Sequence, residues 1–178
     1  MAAKPPLERM QENQKPLEKL ELMLPGFRGY KMREQRREAD RIVRNYIYDT
    51  LERSRDDLTK CLQMLSDNKA TELLEPMNRI IAILDRIAEK VNRASYGYSG
   101  FFDSIKIEEQ DLDRMLDYDS KLMDMARGLS GTTSAFKGDL TQGKFENARN
   151  SQQTLGDALD GLEKAFDQRK AIIEGVKV

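Results

Sequence analysis

Apolar or small residues recur at Val43, Ile47, Leu51, Ser54, Leu58, Cys61 and Leu65, in steps of four and three. Such spacing holds one stripe of a long helix against a core and is incompatible with a strand. Three further stripes follow. The second runs Leu73, Met77, Ile80, Ile81, Leu84, Ile87, Ala88, Val91, Ala94; the third runs Leu112, Met115, Leu116, Leu122, Met123, Ala126, Leu129, Phe136, Leu140. The fourth runs Phe145, Ala148, Gln152, Leu155, Leu159, Leu162, Phe166, Ile173. No stretch alternates with period two over enough β-branched residues to make a strand.

The expected fold class is therefore all-α: an elongated up-down-up-down four-helix bundle with heptad-like stripes. Its helices are expected over about 30–66, 72–94, 108–141 and 145–174. Ser66-Asp67-Asn68, the Ser95–Gly100 stretch and Gly143 supply the breaks, and Pro76 fits only near the start of the second helix. Gly128 and Gly131 predict a kink or break near 128–132, because each glycine weakens a helix by up to about 1 kcal/mol relative to Ala. Six glycines between 128 and 161 make the C-terminal third the least stable part and the one expected to exchange partners.

Four of the five prolines lie within the first 25 residues. Residues 1–26 are expected to form an N-terminal arm, and 27–178 a single bundle. Within the arm, Leu17, Leu20, Met23 and Leu24 space like one face of a short amphipathic turn that docks on the body or on a partner.

Composition narrows the chemistry. Lysine and arginine number 30 against 31 acids, and histidine is absent. No Ser-His-Asp or Cys-His nucleophile system, HExxH zinc site or Glu-x-x-His di-iron site can then be built. The single Cys61 excludes an intramolecular disulfide and a CxxC metal knuckle, and points to a reducing, cytoplasmic setting. The polar, proline-containing residues 1–14 do not read as a signal peptide, and no apolar run approaches the roughly 18 residues of a membrane span. The acidic run Asp111–Asp119 lacks the central glycine and distal Glu of an EF-hand loop, so no metal and no cofactor is expected. An enzyme is not expected either; carboxylate or tyrosine acid-base chemistry would have to do everything.

In an up-down bundle, the start of the first helix, the turn between the second and third, and the end of the fourth share one end. Two unusual stretches converge there: Leu24-Pro25-Gly26-Phe27-Arg28-Gly29-Tyr30-Lys31 running into Arg33, Arg36, Arg37, Arg41 and Arg44, and Tyr96-Gly97-Tyr98-Ser99-Gly100-Phe101-Phe102-Asp103. Flat rings, glycine freedom and forked donors suit a loop-built recognition surface. The candidate partner-binding residues are Phe27, Arg28, Tyr30, Arg33, Arg36, Arg37, Tyr96, Tyr98, Phe101 and Phe102. The competing structural role is that the rings cap the open end of the core while the arginines are solvated.

Charge is segregated as well. Phe27–Tyr48 holds seven bases against three acids, and Asp103–Met125 eight acids against three bases. Pairing of the basic first helix with the acidic third is the simplest expectation. Asp119 falls inside the third stripe and needs a donor, with Arg36, Arg37, Arg41, Tyr30 and Tyr46 as candidates; structural pairing is favoured over acid-base chemistry. Ser54, Gln152 and Arg169 also interrupt stripes, where polar residues set register or mark a partner-facing helix.

The segments 25–41 and 94–103 resemble signature stretches of a set of uncharacterised small all-helical prokaryotic proteins, over about residues 24–129. The resemblance implies a prokaryotic cytoplasmic setting and carries no activity, cofactor or partner. The expected function is a non-catalytic helical interaction or scaffold module that binds a partner protein through the aromatic-basic end, with a homo-oligomer compatible with the stripes. The alternative is a peripheral membrane protein whose basic first helix lies on anionic lipid. A net charge of −1 and a pI near 5.7 disfavour nucleic acid as the main partner.

Overall fold

A computed structural model describes residues 16–26, 33–94 and 109–175. Those residues form α1 (Pro16–Met23), α2 (Arg33–Asp67), α3 (Thr71–Arg93), α4 (Glu109–Thr141) and α5 (Ala148–Gly175), with no strand among them. The stripes become the core. Val43, Ile47, Leu51, Leu58, Cys61 and Leu65 of α2 are buried, as are Leu73, Met77, Ile80, Leu84, Ile87, Ala88 and Val91 of α3.

The α2–α3 turn is a Schellman motif. The Ala70 amide donates to the Leu65 carbonyl and the Lys69 amide to the Ser66 carbonyl, both at 3.0 Å, with Lys69 at φ 57° in the left-handed position. The α4–α5 turn repeats this design. Lys144 donates to Asp139 at 2.9 Å and Gly143 to Leu140 at 3.0 Å, and here a glycine at φ 72° holds the left-handed site.

Two boundaries differ from expectation. α4 runs unbroken through Gly128 and Gly131, because buried Leu122, Met123, Ala126, Leu129, Thr133, Phe136 and Leu140 hold both sides of the glycines against the core. α5 begins at Ala148; residues 145–147 form a turn whose Phe145 carbonyl accepts the Ala148 amide.

The helices pack in the pairs α2–α3, α2–α4, α4–α5 and α3–α5. This closes a four-helix ring with α2 opposite α5 and α3 opposite α4. Direction alternates along the chain: Lys137 late in α4 meets Asp57 late in α2, while Lys90 late in α3 meets Asp167 late in α5. Neighbours α2 and α4 are thus parallel, as are α3 and α5. The starts of α2 and α4 and the ends of α3 and α5 lie at one end. The short α1 packs on α4, burying Leu20 and Leu24.

Candidate functional site

At the end where α2 and α4 begin, four charged side chains are buried in a line. Arg169 of α5 donates from Nε to Oδ1 of Asp119 at 2.5 Å and from Nη2 to Oδ1 of Asp40 at 2.8 Å. Arg44 donates from Nε to the other Asp40 oxygen at 2.8 Å, one helical turn along α2. Asp40 is 2% exposed, Arg44 7%, Asp119 0% and Arg169 1%. Removing four charges from water is costly, and only alternating sign with charge-assisted hydrogen bonds makes it tolerable. The sequence −,+,−,+ from Asp119 through Arg169 and Asp40 to Arg44 meets that condition.

The line crosses the bundle. Asp40 and Arg169 belong to helices at opposite corners, so the guanidinium lies between α2, α4 and α5 and ties their ends together. An external rim adds to this end: Arg86 reaches Glu163 at 2.6 Å, and Lys90 reaches Glu163 at 3.2 Å and Asp167 at 2.6 Å.

The candidate recognition residues stand in a fixed sequence relation to the clamp. Phe27, Arg28, Tyr30, Tyr96, Tyr98, Phe101 and Phe102 lie outside the described residues. Arg33, Arg36 and Arg37 lie on the first turns of α2, with their side chains outside the described set. In the sequence, 27–32 directly precedes α2, and 95–108 links α3 to α4.

Two charged pairings of the described residues add to or differ from expectation. Asp119 takes a hydrogen bond from Arg169 of α5, a donor outside the expected set; among the expected donors, Tyr30 and the side chains of Arg36 and Arg37 lie outside the described residues. Arg41 and Arg44 do not reach the acidic α4: Arg41 pairs with Glu38 at 2.7 Å and Arg44 with Asp40, each a turn away on α2. The Arg41 hydrogen bond holds the exposed Glu38 carboxyl below its ordinary range.

Comparison of the chain with protein-family models, curated proteins and solved structures finds no match.

A second feature opens at the opposite end, where α3 and α5 begin. A groove of about 600 Å³ is lined by Glu72, Glu75, Pro76, Arg79, Ile80, Ile83, Arg149, Gln152, Gln153 and Gly156. The buried Gln152 amide donates from Nε2 to the Leu73 carbonyl at 2.8 Å, while its Oε1 has no hydrogen-bond donor among the described residues. Pro76 contributes no N–H to the Glu72 carbonyl in the early turns of α3 beside the groove. Among the described residues no group of three His, Cys, Asp or Glu could hold a metal ion, and no helix is long and apolar enough to cross a membrane.

All four polar residues that interrupt the stripes, Ser54, Asp119, Gln152 and Arg169, are buried. Asp40 and Arg44 were not among the sequence candidates. The available signal was register, since Asp40 lies three residues before Val43 and seven before Ile47 and so extends the α2 stripe. Its surroundings, Arg37, Glu38 and Arg41, disguise it as part of a solvated charged face.

Proposed function

We propose that this chain is a non-catalytic helical interaction module, and that its partner-binding surface is the clamped bundle end carrying Phe27, Arg28, Tyr30, Arg33, Arg36, Arg37, Tyr96, Tyr98, Phe101 and Phe102. The observation that carries this reading is the Asp119–Arg169–Asp40–Arg44 line beneath that end. A recognition surface built from connecting segments needs a rigid base, and the clamp supplies one by fixing α2, α4 and α5 together. The buried charges are committed to one another, which suits a scaffold better than a proton-transfer site.

Aromatic and arginine side chains at such an end would anchor a protein partner with a carboxylate-bearing or aromatic patch. Homo-oligomerisation is compatible with the same surface. The setting that fits is the cytoplasm, with the elongated up-down-up-down bundle and its proline-containing arm as the architecture.

The test is affinity capture from native lysate with the wild type beside an Arg36→Ala, Arg37→Ala, Tyr98→Ala variant of equal helicity by circular dichroism. A protein captured by the wild type alone is the expected result. Equal capture by both would reduce the end to a structural cap. Co-sedimentation with anionic vesicles that fades with salt would instead favour a lipid surface.

A further inference from the structure

The N-terminal segment offers a site unrelated to the bundle end. α1 is eight residues long, well below the roughly 12–15 at which an isolated helix holds in water. It is therefore helical because it is docked. Its helix partner is α4: Leu20 is 0% exposed and Leu24 4%, Lys19 pairs with Asp124, and Arg127 approaches the Met23 sulfur at 3.7 Å. Leu17 and Met23 pack partly against the core, whereas Leu22 on the outer face is 72% exposed. The segment leaves its dock through Pro25 and Gly26, with Gly26 at φ 87° in a conformation that lets the chain turn sharply away.

A short helix seated on α4 by two leucines that reach the core and by one ion pair is the arrangement of a peptide in its receptor groove. We propose that the face of α4 around Asp124 and Arg127 is a recognition site for short amphipathic helices, which residues 16–26 occupy as a built-in competitor. The partner it fits is a helical segment of another protein with apolar residues at i, i+3 and i+7 and a lysine at i+2, the pattern of Leu17, Lys19, Leu20 and Leu24. Such a partner displaces α1, and the tethered arm raises the concentration needed to do so. This inference does not depend on the bundle-end reading.

The probe is a fluorescently labelled peptide of residues 16–26, titrated against the full-length chain. A Leu20→Asp, Leu24→Asp chain, whose arm cannot seat, is expected to bind it saturably. The wild type should bind about tenfold more weakly, because the tethered arm competes at an effective concentration in the millimolar range. A Leu22→Asp chain should behave as wild type. Adding Asp124→Lys to the arm-free variant should weaken binding, and a Lys19→Asp peptide should recover it. Absence of binding to the arm-free variant, or equal binding to both chains, overturns the proposal. Hydrogen exchange on the wild type is an independent check needing no variant: amides of residues 20–24 should exchange at least a hundredfold faster than those of 119–129, and equal protection overturns the proposal. A concentration-dependent dimer that disappears in the Leu20→Asp, Leu24→Asp chain would overturn the assignment to another protein and give the site to a second copy.

Discussion

Arg169 and Asp40 are 129 residues apart in the chain and meet at 2.8 Å between helices at opposite corners of the bundle. With Asp119 and Arg44 they fix which ends of α2, α4 and α5 lie together. An apolar core alone tolerates helix slippage and alternative pairings, whereas a buried charge line is satisfied in one register.

Removing Arg169 takes a guanidinium away from two buried carboxylates, Asp119 and Asp40. Arg169→Ala is expected to destabilise the chain by about 3–5 kcal/mol in urea titration, the usual cost of breaking a buried pair from one side. Replacing the whole line, as in Arg169→Met, Asp119→Leu, Asp40→Leu, Arg44→Leu, should be neutral or stabilising by about 1–4 kcal/mol. A large loss in the fourfold variant would mean that the charges stabilise rather than select the fold.

The helices were legible in the sequence because stripe spacing is a local property. The first stripe runs into the core residue by residue and the second does so except at the half-buried Ile81 and Ala94, and the polar interruptions at Ser54, Asp119, Gln152 and Arg169 mark buried positions. The pairing of Asp119 with Arg169 was not legible. Asp119 pairs with Arg169 because α5 lies beside α4, an adjacency that no spacing within α4 encodes. Asp40 and Arg44 were hidden by the charges around them. The glycine rule failed at 128–132 because propensity is a penalty of about 1 kcal/mol per residue that tertiary packing of α4 outweighs.

That same failure predicts a gain. A Cβ on Gly128 or Gly131 would meet no atom within 4 Å, so Gly128→Ala and Gly131→Ala should each stabilise by about 0.5–1 kcal/mol. The left-handed turn positions should behave oppositely to each other: Lys69→Gly relieves strain at φ 57°, and Gly143→Ala introduces about 1–2 kcal/mol of it at φ 72°. Thermal melts of the four variants check both signs.

Asp57 ties α2 to α4 through Lys137 at 2.7 Å, and this hydrogen bond holds its carboxyl below the ordinary value of 3.8. A depressed folded value means that the stabilisation is present above pH 3.8 and is lost as pH falls through the lower, folded value. Asp57→Asn should therefore cost about 0.5–1 kcal/mol at pH 7, as befits a partly exposed pair. The difference from wild type should close in acid; a difference that persisted at pH 2 would assign the cost to packing instead.

Burial pushes the Cys61 thiol up to about 11 from 9.0. The native protein at pH 8 should react with a disulfide reagent only as fast as it unfolds, and should acquire full reactivity in denaturant. Since the unfolded thiol ionises first, stability should decline between about pH 9 and 11, and Cys61→Ala should remove that part of the decline.

The most direct test of the bundle-end reading is photo-crosslinking in native cells, with a benzophenone amino acid placed in turn at Tyr98, at Ile83 in the α3–α5 groove and at Asp160 on the exposed face of α5. A discrete protein adduct from position 98 alone is the expected result. An adduct from position 83 without one from position 98 would contradict it and move the binding surface to the other end of the bundle.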